Sequence, residues 1–78
     1  MNRDICKEFL EKCEKFKWFI VQYIGEPYYE SLLELAKCDK NDELYNCLSR
    51  VWFMLPDSIF NIKEKPSGWL DFLELIEE

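Results

Sequence analysis

Three glutamates, Glu26, Glu30 and Glu34, follow one another at intervals of four residues. On an α-helix this spacing places the three carboxylates in one line along a single face. Like charges at this spacing repel one another by roughly a few tenths of a kcal/mol, so the line is unfavourable to the helix that carries it. A negative surface speeds association with a basic partner and disfavours wrong partners. We therefore interpret the line as a protein-binding surface.

A second acidic group lies near the end of the sequence, where Asp71, Glu74 and Glu78 share one side of a predicted helix. Acids in a last helical turn oppose the helix dipole, which favours cations there. The acids are also unevenly distributed, because residues 1–24 carry a net charge of +1 and residues 25–78 a net charge of −7. We predict that both acidic groups contact a partner.

Aromatic side chains supply candidate anchors beside these acids. Trp18 falls among charged residues on a helical wheel, away from the apolar stripe of its helix. Exposed tryptophan and tyrosine are frequent binding hot spots, so we predict that Trp18 acts as an anchor together with Tyr28 or Tyr29. The alternative for Trp18 is that the connector before the last helix covers it. Phe53 also lies opposite its apolar stripe, and there we predict that a neighbouring element covers the ring.

The cysteines do not have the spacing of a metal site. A structural zinc site normally uses close pairs such as C-x₂₋₄-C, and the sequence has none. We predict no metal ligands and four reduced thiols, mostly packed as small apolar side chains. Cys38, in a polar link, is the thiol that we expect to react. The four are Cys6, Cys13, Cys38 and Cys47.

Composition argues against catalysis and against several other functions. The chain of 78 residues has no histidine, which is the commonest general base and metal ligand, and only two glycines for a phosphate-binding loop. We predict no catalytic residue, no cofactor and no enzymatic activity. A net charge of −6 argues against direct nucleic-acid binding. The first residues show no signal peptide and the apolar runs are too short to span a membrane, so we expect a cytoplasmic protein.

Apolar residues that recur at steps of three and four predict an all-α fold. We expect one compact four-helix domain over residues 1–78, with a short helical turn in the connector 56–66. The predicted helices cover residues 4–24, 27–38, 42–55 and 67–78.

Polar residues and one glycine mark where these helices begin and end. Asp4 is suited to cap the first helix, and Gly25 is suited to end it. Asp39 or Asn41 is able to cap the third helix, and Ser67 the last one. These residues predict short links between the helices.

In size, charge and helical content the chain is similar to toxin-immunity proteins and to phage-encoded inhibitors of host defence nucleases, including anti-CRISPR proteins. This likeness implies a small acidic inhibitor that neutralises a nucleic-acid-binding protein or nuclease, with carboxylates in the place of phosphates. The alternative is a non-catalytic helical subunit or homodimer, in which the surplus aromatic rings are buried in the assembly and the acids serve only solubility.

Overall fold

The described part of the chain, residues 4–77 of a computed structural model, consists of helices and links without a strand. The all-α prediction is confirmed, and each predicted helix is present with ends within two residues of those expected. The predicted turn in the connector is also present, as α4. The helices are α1 (Ile5–Tyr23), α2 (Glu26–Lys37), α3 (Asn41–Met54), α4 (Asp57–Asn61) and α5 (Trp69–Ile76).

Two side chains cap the first turn of α1. Asp4 Oδ1 accepts a hydrogen bond from the Lys7 N–H at 3.0 Å, as the sequence predicts. Asn41 Oδ1 accepts one from the Cys6 N–H at 2.9 Å, across a separation of 35 positions. The prediction that Asp39 or Asn41 caps α3 is therefore wrong, because Asn41 serves α1 and no side chain caps α3. The hydrogen bond between Asn41 and Cys6 therefore links the start of α3 to the start of α1.

A residue with positive φ follows each of the first two helices. Gly25 follows α1 with φ 128°, and its N–H donates to the Ile20 carbonyl at 2.9 Å, in the position predicted for it. After α2, Asp39 adopts φ 58° and the Lys40 N–H donates to the Leu35 carbonyl at 3.1 Å. This is the left-handed ending that satisfies the last carbonyls of a helix.

The last helix begins later than predicted. Ser67 does not cap α5, and Gly68 precedes the helix with φ 83° and ψ 0°. The backbone of Gly68 lies so close to α1 that an added Cβ would stand 2.7 Å from Lys15 Cβ. The left-handed conformation and this close approach together require glycine. They explain why α5 begins at Trp69 rather than at residue 67.

All five helices contribute to one apolar core, and no charged side chain of residues 4–77 is buried. Four fully buried phenylalanines form its centre: Phe9, Phe16, Phe19 and Phe72. The Phe72 ring lies 5.3 Å from Phe19 and 6.2 Å from Phe16, centroid to centroid, so α5 closes the core against α1.

Three tyrosine hydroxyls link neighbouring helices by donating hydrogen bonds to backbone carbonyls. These bonds join α2 to α1, α2 to α3, and α3 to the C-terminal end of α5. The pairs are Tyr29 with Cys13 at 3.1 Å, Tyr28 with Cys47 at 3.2 Å and Tyr45 with Ile76 at 3.0 Å. Each hydroxyl therefore satisfies its hydrogen bond inside the domain.

Candidate partner-binding surface

The three glutamates of the predicted acidic line are all exposed on α2. They lie opposite the buried side chains of Leu32 and Ala36. No ion pair joins Glu26, Glu30 or Glu34 to another residue within the range 4–77. We call Glu26, Glu30 and Glu34 the α2 acidic line.

The three glutamates of the α2 acidic line do not destabilise the helix equally. Glu26 lies in the first turn of α2, where the helix dipole stabilises an acid. Glu34 lies close to the C-terminal end, where the dipole disfavours one, and Glu30 has an acidic neighbour four residues away on either side. The local cost therefore falls on Glu30 and Glu34, which makes this pair the most informative to test.

Trp18 is strongly exposed, with 74% of its surface accessible. It lies on the side of α1 opposite the core, with the exposed acids Glu14 one turn and Glu11 two turns before it. Its indole makes no ring contact with another residue of the described chain. The alternative that the connector covers Trp18 is wrong, and the side chain is accessible to a partner.

The two predicted tyrosine anchors are less accessible than expected. Tyr29 is 4% exposed, its hydroxyl donates to the Cys13 carbonyl, and Lys17 Nζ lies 6.0 Å from its ring centroid. Burial raises the pKa of the Tyr29 phenol, and the hydrogen bond to Cys13 raises it further. Tyr29 is a core residue, so its prediction as an anchor is wrong. Tyr28 is half-buried and bonded to Cys47, which leaves only part of its ring for a partner.

In the second acidic group, Asp71 is paired with lysines of α1. Asp71 Oδ1 lies 2.9 Å from Lys12 Nζ, and Oδ2 lies 3.6 Å from Lys15 Nζ. The hydrogen bond from Lys12 lowers the pKa of the Asp71 carboxyl. Two lysines of α1 therefore offset the charge of Asp71 within the domain, and its role as a partner contact stays a prediction. Glu74 is exposed on the same helix, and Glu78 lies outside the described residues.

Phe53 and Leu70 are the most exposed of the large apolar side chains that were not predicted to lie at a surface. Phe53 is 84% exposed, so the prediction that another element covers it is wrong. Leu70 is 73% exposed on α5. Leu70 could have been found from the sequence, since it falls opposite Phe72 on a helical wheel. The sequence of α3 alone does not show whether a neighbouring helix covers Phe53.

Comparison with protein-family models, with curated proteins and with solved structures finds no match. Residues 4–77 contain no group of side chains arranged to hold a metal ion. None of the described helices combines the length and the apolar character needed to cross a membrane. All four cysteines are free; Cys38 is exposed, whereas burial raises the pKa of the Cys6 thiol.

Proposed function

We propose that the chain is a small acidic inhibitor that binds the basic surface of a nucleic-acid-binding protein, with a nuclease as the expected target. The α2 acidic line is the observation that supports this proposal most directly. Its three carboxylates are exposed and make no ion pair within the described residues, whereas Asp71 is neutralised by lysines. A protein surface that binds phosphates is basic, so it also attracts carboxylates.

The dimensions of the line are compatible with a phosphate-binding cleft. Residues four apart on a helix are separated by about 6 Å along its axis, so the three carboxylates span about 12 Å. One strand of duplex DNA carries a charge about every 3.4 Å of its axis. The line therefore replaces some of the phosphates that a basic cleft would bind, and its attraction should weaken as salt rises.

Trp18 provides the apolar part of the proposed contact. Charge at an interface rim mainly governs association rate and specificity, whereas a desolvated aromatic anchor slows dissociation. The exposed indole of Trp18 lies on α1, the helix that packs against α2, and is able to act as this aromatic anchor. The inhibitor is proposed to place Trp18 in an apolar pocket beside the basic cleft of its target.

The experiment begins with the immobilised chain and an extract of its native cell, at about 50 mM and about 200 mM salt. A retained protein that salt releases is identified and titrated with the wild type and with a Glu30→Lys/Glu34→Lys variant. We expect the variant to bind at least tenfold more weakly and with a shallower salt dependence. The control is Asp57→Lys/Glu64→Lys, which changes the net charge equally at two exposed positions on α4 and its following connector.

Unchanged affinity and unchanged salt dependence in the Glu30→Lys/Glu34→Lys variant would refute the proposal. Equal losses in the variant and in its control would show that net charge alone attracts the partner. When the partner is a nuclease, its activity should fall in proportion to the bound inhibitor. Activity that persists in the saturated complex would show that binding does not inhibit.

A second candidate function is a subunit of a helical assembly or a homodimer. The exposure of Phe53 and Leu70 favours it, because such surplus apolar side chains are often covered in an assembly. Light scattering distinguishes the candidates. A tight homodimer with blue-shifted Trp18 fluorescence supports the assembly, whereas a monomer with water-exposed Trp18 supports the inhibitor.

A further inference from the structure

Lys17 lies between the two parts of the proposed contact, Trp18 on α1 and the α2 acidic line. Its Nζ atom is 6.0 Å from the ring centroid of Tyr29, which belongs to α2. Cys13 marks the side of α1 that faces α2, because its carbonyl accepts the Tyr29 hydroxyl. Around the axis of α1, Lys17 is about 40° from Cys13 and Trp18 is about 140° from it in the same direction. Lys17 is therefore the nearer of the two to α2.

The Lys17 ammonium is also close to the acidic line along α2. Tyr29 directly precedes Glu30 and follows Glu26 by one turn. Lys17 is exposed, and within residues 4–77 it makes no ion pair with these glutamates or with Glu14 one turn before it on α1. Its positive charge is thus presented to solvent between the indole and the line.

Other lysines of the described chain are used within the fold. Lys12 and Lys15, on the side of α1 that faces α5, both pair with Asp71. Lys40 is within 3.8 Å of Glu43, three residues further along the chain. The only contact given to Lys17 among residues 4–77 is the one with the Tyr29 ring. A partner is therefore free to supply an anion to Lys17.

A partner that contacts both Trp18 and the α2 acidic line has to cover Lys17. A continuous basic surface at this point would place like charges against one another, which strongly disfavours a complex. Removal of an ammonium group from water without an acceptor is costly as well. The complementary partner therefore has a negative group between its apolar pocket and its basic cleft.

Carboxylates beside a phosphate-binding cleft are typical of enzymes that hold divalent metal ions there. Magnesium is commonly bound by one or two carboxylates together with phosphate oxygens of the substrate, and nucleases are among the enzymes that use such metals. We infer that the target is a metal-dependent nuclease and that Lys17 binds its metal-holding carboxylates in the place of a metal ion. Resting on the inhibitory function proposed above, this assignment adds the class of the target and the residue that recognises it.

The test uses the salt-released partner that the extract yields, titrated in EDTA and in saturating magnesium at constant ionic strength. In EDTA, Lys17→Gln should bind at least tenfold more weakly than the wild type, although it makes the chain more acidic. Magnesium should weaken wild-type binding at least tenfold, because the metal and Lys17 compete for the same carboxylates. The affinity of Lys17→Gln should change less than threefold between the two conditions.

Two further variants serve as controls. Lys17→Arg keeps the charge and should bind within threefold of the wild type in EDTA. Lys7→Gln removes an exposed lysine of the same helix, about 15 Å away along its axis. It should bind at least as tightly as the wild type and keep the magnesium dependence, because it changes only the net charge. Both positions are exposed, so circular dichroism should show the wild-type fold.

Several results would overturn the role of Lys17. Equal or tighter binding by Lys17→Gln would show that Lys17 contacts no acceptor in the partner. Weaker binding by Lys17→Gln without a magnesium effect on the wild type would show that the acceptor holds no metal. An equal magnesium effect in both would show that the metal acts elsewhere, as on the α2 acidic line.

The failure of this inference is distinguishable from the failure of the proposed function. A loss of affinity in Glu30→Lys/Glu34→Lys without a loss in Lys17→Gln would refute the role of Lys17 and leave the acidic inhibitor standing. Unchanged affinity in Glu30→Lys/Glu34→Lys, or an extract that yields no salt-released protein, would refute the proposed function and this inference with it.

Discussion

Replacement of Gly68 by alanine should destabilise the domain through two separable effects. The residue has φ 83°, and a left-handed conformation costs a residue with a Cβ about 1–2 kcal/mol. The new Cβ would also lie 2.7 Å from Lys15 Cβ, 2.8 Å from its carbonyl carbon and 2.9 Å from its carbonyl oxygen. Two of these atoms belong to the backbone of α1, so no side-chain rotation relieves the contact.

The size of the effect follows from these contacts. Overpacking of a close interior contact typically costs about 1–3 kcal/mol, which gives about 2–5 kcal/mol in total with the conformational cost. A domain of this size has a free energy of unfolding of about 4–12 kcal/mol. The variant should therefore lose a large share of its stability, and α5 should separate from α1 before the other helices unfold.

Urea unfolding, followed by circular dichroism and tryptophan fluorescence, measures the loss. Gly68→Asn serves as the control that separates the two effects, because asparagine adopts the left-handed conformation at little cost but still carries a Cβ. We expect Gly68→Asn to remain at least about 1 kcal/mol less stable than the wild type. If asparagine instead restores wild-type stability, the close approach to Lys15 imposes no constraint and the reasoning is wrong.

Three further predictions concern the helix contacts and ends. Tyr29→Phe removes the hydrogen bond to the Cys13 carbonyl and should lower the free energy of unfolding by about 0.5–1.5 kcal/mol in urea titrations. Asp39→Gly should raise the free energy of unfolding by about 0.5–1 kcal/mol, seen as a higher urea midpoint. The reason is that φ 58° suits glycine and that the substitution removes an acid from a helix C-terminus. The folded-state pKa of Asp71 is lowered by Lys12, so its contribution is present above the ordinary aspartate pKa and is lost as the pH falls through the lowered value. The stability difference between the wild type and Asp71→Asn should therefore shrink below about pH 4, and a constant difference would contradict this.

The helices could be predicted from the sequence because their apolar spacing and most of their end signals are local. Asp4 caps α1 and Gly25 ends it as expected. Ser67 misled the prediction because the start of α5 depends on how closely the chain approaches Lys15, a contact between positions far apart in sequence. Asn41 misled it for the same reason, since its side chain caps a different helix.

The candidate surface was predictable to the extent that it depends on one helix. The α2 acidic line follows from spacing within α2, and the exposed position of Trp18 follows from the wheel of α1. Tyr29 was misassigned, and the ion pairs of Asp71 were not predicted, because the partners of both residues, a carbonyl and two lysines, belong to α1. The exposure of Phe53 likewise depends on where neighbouring helices lie, which helical periodicity does not specify.

The contact between α1 and α5 has a consequence for how the protein is made. α1 and α2 are joined by two residues, so their pairing needs little loop closure and can form early on a nascent chain. Phe16 and Phe19, however, meet Phe72 only after α5 has left the ribosome. The ion pair between Lys12 and Asp71 likewise spans 59 positions. Folding is therefore completed only after α5 is synthesised, and a shorter nascent chain exposes aromatic surface of the kind that chaperones bind.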